Sequence, residues 1–424
     1  MYNCGMKMLF ISPNSPRSSV GGVERCIKNL ISFGSDALDT DKTLFVLPSD
    51  TGDGYEKIGN SEIYYRGFLQ MATKDSSGKI KLNLSDKIIK GKAKKFYDFI
   101  VKLLNSEKID IVTAENFHLG VPPAFSLMLN MACQVSNVPL ILRVHSFAIK
   151  PIQVELINNL LWEKIVCVSK SVAGDCFSKG AEISKLTTNH LGVNIQEFFP
   201  TGDRTWLKKQ LGLGPQQQVI LGASRIVMGT KEILKEKGLV ILIEAFSKIA
   251  FRFNSLRLVL AVGKPPQFLS NEFAQALEKL KGFIKLNGVE DRVICEPFAL
   301  EQMPQVYRGA DMFVLPSENE TLGQVYIEAM ASGIPVIGTN VGGIPEIIHH
   351  GENGFLSALN DASMLAGQIT QLLEDEKLRK SFIEKGLKTV RTRFGMHKLT
   401  RELFDYYAQI VAKSRGAVSF GNIE

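Results

Sequence analysis

Two glutamates eight positions apart, Glu320 and Glu328, are the residues of this sequence whose placement most suggests chemistry. Glu320 lies in a polar loop after the apolar run 312–315, and Glu328 lies within the apolar-faced segment 324–331. The run predicts a buried strand, and the segment predicts a helix that starts after Gly323. A helix N-terminus at the end of a parallel strand binds anions, because its free N–H groups and its positive dipole end point outward.

The two carboxylates would flank this anion site. Carboxylates repel phosphate oxygens, but they accept hydrogen bonds from hydroxyl groups. We therefore expect a ligand with phosphate at its centre and hydroxyl-rich groups on both sides, which describes a nucleotide-sugar. Considered one at a time, the two glutamates have simpler interpretations: Glu320 as a helix cap and Glu328 as a solvated helix residue. Their combination with Gly323 and the pair Gly342-Gly343 favours the ligand site.

The segment from Glu320 to Glu346 resembles the E-x7-E region of the retaining glycosyltransferases of family 4, also called group 1. It begins Glu-Thr-Leu-Gly-Gln-Val-Tyr-Ile-Glu at residue 320 and closes with Gly-Gly-Ile-Pro-Glu at residue 346. Leu322 stands where many members have Phe, which we interpret as pocket variation. The resemblance implies that Glu328 holds the ribose hydroxyls and Glu320 the hydroxyls of the donor sugar. Amides around Leu322 and Gly323 would help to bind the diphosphate.

Two cations take their expected roles from the same resemblance. Arg225 lies at the end of a predicted strand, and Lys237 precedes a predicted apolar-faced helix. Residues at these positions clamp the diphosphate in the family. Two cations there would neutralise phosphate charge and stabilise the leaving group as the glycosidic bond breaks. The loop between them is longer than usual for the family, so that Lys231 or Lys235 could replace Lys237.

Three further donor contacts are expected. Gly21 and Gly22 precede a helix, and paired glycines let a backbone approach a ligand closely. The resemblance places this pair against the donor diphosphate and places His145, at the end of a predicted strand, beside the donor sugar. It also places the nucleotide base near Phe298. Arg143 is interpreted as a structural residue that points away from His145.

No metal or cofactor is expected beyond the nucleotide-sugar, which is a co-substrate. Residues 39–41 read Asp-Thr-Asp, the D-x-D spacing of a metal signature, but they precede a predicted strand and are assigned to a turn. The six cysteines are scattered without metal-ligand spacing, as in a cytosolic protein with reduced thiols. No carboxylate pair suggests a covalent nucleophile of the kind retaining glycosidases use.

The chain of 424 residues has room for two domains, and its 45% apolar and 22% charged residues are typical of a soluble globular protein. Strands and helices alternate twice around a linker at 201–218. We predict the α/β GT-B fold, two doubly wound Rossmann-like domains facing across a cleft. The acceptor-side domain spans 1–205 and includes a crossover helix at about 396–424; the nucleotide-sugar-binding domain spans 206–395. We expect the tail from residue 413 to be unstructured.

The formal net charge of +7 is concentrated in the lysine-rich region 79–102, which also carries apolar residues. Such a region is either a solvated helix face or a patch that contacts anionic membrane or an anionic acceptor. Nucleic acid is not expected as a partner, because aromatic stacking platforms are missing. The first apolar run is too short for a signal peptide, and no apolar run reaches membrane-span length. We expect a cytoplasmic protein, with a peripheral position at the inner face of the membrane as the further expectation.

The sequence thus predicts a retaining, metal-independent glycosyltransferase that moves a sugar from a nucleoside-diphosphate sugar to a glycolipid, polysaccharide or other acceptor. The setting would be cell-envelope glycan synthesis. Two alternatives stay open: a sugar-nucleotide 2-epimerase of the same fold, and a non-catalytic module that binds sugar-nucleotides.

Overall fold

The computed structural model describes residues 5–17, 21–36, 42–71, 73–74, 80–81, 85–227, 232–265 and 269–420. The chain divides into two compact units, one formed by Met1–His190 with Leu399–Glu424 and the other by Leu191–Lys398. The turn predicted at residues 39–41 and the alternative phosphate ligand Lys231 lie outside the described residues.

The first unit is built around a mainly parallel sheet. Its strands are β1 (Lys7–Ile11), β2 (Lys42–Pro48), β3 (Gly54–Ile58), β4 (Ser61–Arg66), β5 (Thr73–Lys74), β6 (Ile80–Lys81), β7 (Ile111–Glu115), β8 (Leu140–Val144), β9 (Lys164–Cys167) and β10 (Leu186–Thr188). Eight of them form one sheet in the order β10-β9-β8-β7-β1-β2-β4-β3, in which only β3 is antiparallel to its neighbour. The strands β5 and β6 form a separate antiparallel pair.

Helices connect these strands. They are α1 (Gly22–Asp36), α2 (Asp86–Glu107), α3 (Pro123–Val135), α4 (Pro151–Asn159) and α5 (Lys170–Ser178). Strands β7 and β8 are buried along their whole length, as is typical of parallel strands covered by helices. Ser169 caps α5, since its hydroxyl accepts a hydrogen bond of 3.1 Å from the Val172 amide.

The second unit has a sheet of six parallel strands in the order β13-β12-β11-β14-β15-β16. They are β11 (Gln218–Ser224), β12 (Leu256–Gly263), β13 (Val293–Phe298), β14 (Met312–Val314), β15 (Val336–Thr339) and β16 (Phe355–Ser357). Its helices are α6 (Trp206–Gln210), α7 (Ile233–Glu236), α8 (Leu239–Ala250), α9 (Ser270–Leu286), α10 (Met303–Arg308), α11 (Gln324–Ala331), α12 (Ile344–Ile347), α13 (Ala362–Glu374) and α14 (Glu376–Thr389). No helix within the described ranges is both long and apolar enough to cross a membrane.

The last helix, α15 (Met396–Phe420), belongs to the first unit from Leu399 onward. The ring centroids of Phe404 and Tyr407 lie 6.1 and 6.5 Å from that of Phe10 on β1. The prediction that the chain is unstructured from residue 413 is wrong, because the helix continues to Phe420. Arg415 within this extension pairs with Asp110.

The two units divide at residue 190, ahead of the boundary predicted at 205. Residues 191–205 belong to the second unit and contact other parts of it. The Val193 amide donates a hydrogen bond of 2.9 Å to the Phe394 carbonyl, and the Phe198 and Tyr307 rings lie 6.0 Å apart. These contacts join residues distant in sequence, which a linker prediction from local composition does not detect.

Candidate active site

The turn before α11 is fixed by one glycine. Gly323 has a φ of 100°, a conformation that strains residues with a side chain, and it directly precedes the helix. A Cβ on Gly323 would lie 2.7 Å from Cδ2 of Tyr326. The Tyr326 hydroxyl in turn donates a hydrogen bond to the Leu315 carbonyl, just past the end of β14. The predicted helix is found with its predicted bounds, and its N-terminus lies at the carboxyl end of β14.

The pair Gly342-Gly343 holds the loop that carries Glu320. The Gly343 amide donates a hydrogen bond of 3.0 Å to the Glu320 carbonyl. A Cβ on Gly342, whose φ is 54°, would lie 1.8 Å from that same carbonyl oxygen, and a Cβ on Gly343 would lie 2.5 Å from the Thr321 carbonyl oxygen. Only glycine fits at these two positions, which explains the second half of the sequence motif by close packing.

Lys237 and Glu320 form an ion pair. Lys237 Nζ lies 3.2 Å from Glu320 Oε2, and their side chains are only 14% and 19% exposed. The neighbouring Gly238, with a φ of 70°, approaches the chain so closely that a Cβ would lie 2.0 Å from the Pro316 carbonyl oxygen. Through this contact the junction of α7 and α8 packs against the loop after β14, and Lys237 at the junction can contact Glu320.

Arg225 follows β11 and is exposed. Because β11 and β14 are parallel neighbours, Arg225 and the Glu320 loop leave the sheet at the same edge. Within the described ranges, no residue forms an ion pair with the Arg225 guanidinium. A cation without a protein counter-ion at this edge is suited to an anionic ligand.

Glu328 and Leu322 are both buried. The simpler interpretation of Glu328 as a solvated helix residue is therefore wrong. A buried carboxylate close to a helix N-terminus is costly and is typical of functional sites. Glu328, Glu320, Lys237 and the turn at Gly323 thus belong to one region of the second unit.

Phe298 is the last residue of β13 and ends at the same edge of the sheet as Gly263 of β12, its register partner. Its side chain is buried, with its ring 6.4 Å from that of Trp206. Its carbonyl accepts a hydrogen bond of 3.1 Å from the Lys264 amide. Phe298 therefore packs inside the second unit, and its predicted proximity to a nucleotide base stays a prediction.

Gly21 and Gly22 lie in the first unit, where Gly22 begins α1 and the Gly21 carbonyl accepts a hydrogen bond of 3.1 Å from the Arg25 amide. His145 follows β8 and is buried. Its Nε2 lies 2.5 Å from Glu115 Oε2, and its Nδ1 is shielded from solvent without a hydrogen-bond partner among the described residues. Both ring nitrogens are thus inaccessible in this structure, and contact with a sugar would require Nδ1 to become exposed.

Glu115 is the buried partner of His145 and was not among the residues predicted from the sequence. It ends β7, opposite Arg143 in the β7–β8 register. Arg143 Nη1 lies 3.6 Å from Glu115 Oε1, so Arg143 and His145 reach the same carboxylate and the predicted opposite direction of Arg143 is wrong. Burial raises the pKa of Glu115, but the Arg143 charge and the His145 hydrogen bond outweigh it and hold that pKa below its ordinary value. The carboxylate is therefore ionised.

Cys26 completes this buried cluster. One potential ligand atom each from Cys26, Glu115 and His145 lie within 4.8 Å of one another, which is suitable spacing for a metal ion. However, Arg143 Nη1 lies 3.3 Å from Cys26 Sγ and already supplies a positive charge, which would repel a metal cation. Burial also raises the pKa of the Cys26 thiol to about 12, and a protonated thiol is a poor ligand. We assign no metal to the cluster.

Comparison with known proteins gives a family match that lies within the second unit. Residues 215–389 match the family model of the glycosyl transferases group 1. The chain is 26% identical over 321 residues to N-acetyl-alpha-D-glucosaminyl L-malate synthase of Bacillus anthracis, a match that covers 74% of this chain and 78% of that relative. It is 31% identical over 213 residues to mannosylfructose-phosphate synthase of Agrobacterium fabrum, covering 50% of this chain and 45% of that relative.

A solved structure of Anabaena HepE in complex with UDP and glucose resembles the chain with a TM-score of 0.72 at 20% identity, covering 95% of this chain and 99% of that one. This likeness, together with the two parallel-sheet units, confirms the predicted GT-B fold class. The family match and the named relatives confirm the predicted enzyme class. Residues 215–389 resemble the group 1 glycosyl transferases, and the enzyme class of the chain is glycosyltransferase.

Proposed function

We propose that the protein transfers a sugar from a nucleoside-diphosphate sugar to a glycolipid, polysaccharide or other acceptor, with retention of the anomeric configuration and without a metal ion. The observation that carries the proposal is the Lys237–Glu320 pair, which unites a cation and a hydroxyl acceptor in one partly buried position. Sugar transfer follows from the enzyme class, and this pair with its surroundings supports a nucleotide-sugar as the donor.

The diphosphate would bind where Arg225 and Lys237 meet the N-terminus of α11. Backbone amides near Leu322 and Gly323 and the positive helix end favour phosphate at this position. When the donor binds, its phosphate oxygens would compete with Glu320 for Lys237. Glu320 would then accept hydrogen bonds from the sugar, while Glu328 would hold the ribose hydroxyls.

In the proposed reaction, the bond between the anomeric carbon and the phosphate oxygen breaks, and a bond from that carbon to an acceptor hydroxyl oxygen forms. The leaving diphosphate gains negative charge, which Arg225 and Lys237 stabilise more strongly in the transition state than in the bound donor. The departing phosphate takes the hydroxyl proton. Arg225 and Lys237 therefore contribute mainly to the rate of bond breaking.

The nucleotide-sugar donor is further supported by HepE, which shares the fold and was crystallised with UDP and glucose. A lipid-linked or glycan acceptor in cell-envelope synthesis, a cytoplasmic location and contact of the 79–102 region with anionic membrane are parts of the same proposal. The membrane contact is supported by the row of exposed lysines on α2.

The experiment that tests the proposal measures release of nucleoside diphosphate from a panel of nucleotide-sugars, with and without candidate acceptors. Acceptor-dependent release together with a glycosylated product is expected. A 2-epimerase would change the sugar or release nucleotide without any acceptor, and a binding module would release none. Either of these results would overturn the proposed transfer.

A further inference from the structure

The outer face of α3 is apolar. Leu127, Met131 and Val135 are 48%, 49% and 65% exposed. They are spaced four residues apart, so they form one stripe along the helix. The helix contains no charged residue at all, whereas a solvent-facing helix of a globular protein normally carries charged side chains on its outer face.

Leu161 extends this stripe. Its side chain is 63% exposed. Its amide donates a hydrogen bond of 3.1 Å to Asn130 Oδ1, and the Asn130 side-chain amide donates one of 3.3 Å to its carbonyl. These two bonds fix Leu161 beside α3. We call Leu127, Met131, Val135 and Leu161 the apolar patch.

A basic surface lies next to the apolar patch. Helix α2 packs against α3, with the rings of Phe96 and Phe125 5.4 Å apart on the inner side. The exposed lysines of α2 are Lys87, Lys90, Lys94, Lys95 and Lys102. The exposed acidic residues of α2 are Asp86 and Asp98, and Asp98 pairs with Lys94 at 2.9 Å. Five exposed lysines against two exposed aspartates leave this face positive. One layer of helices thus presents lysines beside apolar side chains.

We propose that the surface formed by the apolar patch and the α2 lysines docks on an anionic lipid bilayer. The apolar side chains would enter the boundary between headgroups and acyl chains, while the lysines would contact the negative headgroups. This docking rests on the proposed function, in which the acceptor is lipid-linked. It adds α3, which the basic region 79–102 does not include, as the element that enters the lipid.

A second copy of the chain is the main rival occupant of this surface. Two copies related by a two-fold axis would present the same patch to each other, and an axis that runs from the patch toward α2 would also bring their α2 lysines together. Like charges at close range repel, whereas anionic lipid neutralises them. The charge beside the apolar patch therefore favours lipid over self-association.

The test is co-sedimentation of the full chain with vesicles. We expect binding to vesicles of phosphatidylcholine mixed with phosphatidylglycerol, weak binding to phosphatidylcholine alone, and weaker binding to the mixed vesicles when salt is added.

The triple variant L127S/M131S/V135S should lose most of the binding. The variant K87A/K90A should bind about fivefold more weakly for each lysine removed. Leu286→Ser on α9, whose side chain is 81% exposed in the second unit, is the matched control and should bind normally.

Three results would overturn the proposal: no binding of the wild-type chain to anionic vesicles, equal binding by the triple variant, or dimerisation that the triple variant abolishes while lipid binding persists. Since the wild-type comparison of the two vesicle types needs no variant, poor folding of a variant would not leave the question open. Stabilisation by nucleotide-sugar should be unchanged in all variants, so that failure of lipid docking is distinguishable from failure of the proposed sugar transfer.

Discussion

Lys237 Nζ lies 3.2 Å from Glu320 Oε2, so a cation from the junction of α7 and α8 meets an acid from the loop after β14. The Lys237→Ala variant should lower turnover of the nucleotide-sugar about a hundredfold, because one stabilising contact to the developing charge is removed. Steady-state release of nucleoside diphosphate measures this effect. Lys235→Ala, on the preceding helix, is the matched control. A larger loss for Lys235→Ala than for Lys237→Ala would transfer the phosphate role to Lys235.

Glu328 provides a prediction about donor affinity. The Glu328→Gln variant keeps the shape of the buried side chain but removes its charge, and hydrogen bonds to charged groups are the stronger ones. We expect nucleotide-sugar to bind about tenfold more weakly. Calorimetric titration measures the affinity, with the exposed Glu278→Gln as control. Unchanged affinity in Glu328→Gln would exclude a contact with the ribose.

Substitution of Gly342 tests whether close packing positions the loop that carries Glu320. Gly342→Ala would introduce a Cβ 1.8 Å from the Glu320 carbonyl oxygen, whereas Gly351→Ala meets nothing within 4 Å at a similar positive φ of 76°. The backbone strain at Gly351 should cost about 1 kcal/mol, and the added clash at Gly342 should raise the loss to about 3 kcal/mol. Urea unfolding of both variants measures the difference. Equal losses would show that the loop moves freely away from Gly342.

His118 gives the stability of the fold a pH dependence. Burial lowers the pKa of His118 to about 4, from an ordinary value of 6.5. Between these values the unfolded chain binds a proton that the folded chain does not, so the free energy of unfolding should fall as the pH falls through this window. The slope contributed by one such group approaches about 1.4 kcal/mol per pH unit.

Urea unfolding across this pH window should therefore give a flatter profile for His118→Phe than for the wild type. The exposed His349→Gln serves as the control and should keep the wild-type slope. An unchanged slope in His118→Phe would show that another group titrates in this window.

The sequence predicted the part of the site that depends on short-range motifs. The helix at 324–331, the turn at Gly323 and the glycine pair at 342–343 all lie in one segment, where each glycine is required by a local close approach. These features could be derived because helix starts and tight turns have their own sequence signals.

The cluster around Glu115 could not be predicted in the same way, because it depends on strand pairing. Strand β7 extends to Glu115 through its pairing with β8, in which Glu115 lies opposite Arg143. The alternation of side chains along a strand does place Arg143 and His145 on the same side, and applying it would have corrected the predicted direction of Arg143. The helical extension past residue 413 likewise makes a contact with a residue distant in sequence, the pair of Arg415 and Asp110.

The outer face of α3 shows a similar limit. The absence of charge between residues 116 and 142 is visible in the sequence and is compatible with a helix packed on a sheet. Only the structure shows which side of that helix is exposed. The choice between core and docking surface depends on packing against α2, which is a contact between distant residues.

The measurement that tests the central claim most directly is calorimetric titration of a nucleoside diphosphate, starting with UDP, into the wild-type chain and into Arg225→Ala, Lys237→Ala and the double variant. Arg252→Ala, an exposed arginine paired with Glu374, is the control. We predict that the wild type and the control bind alike without added metal, that each single variant binds at least about tenfold more weakly, and that the double variant does not bind measurably. Undiminished binding by the double variant would contradict the account, because the diphosphate would then lie away from the N-terminus of α11.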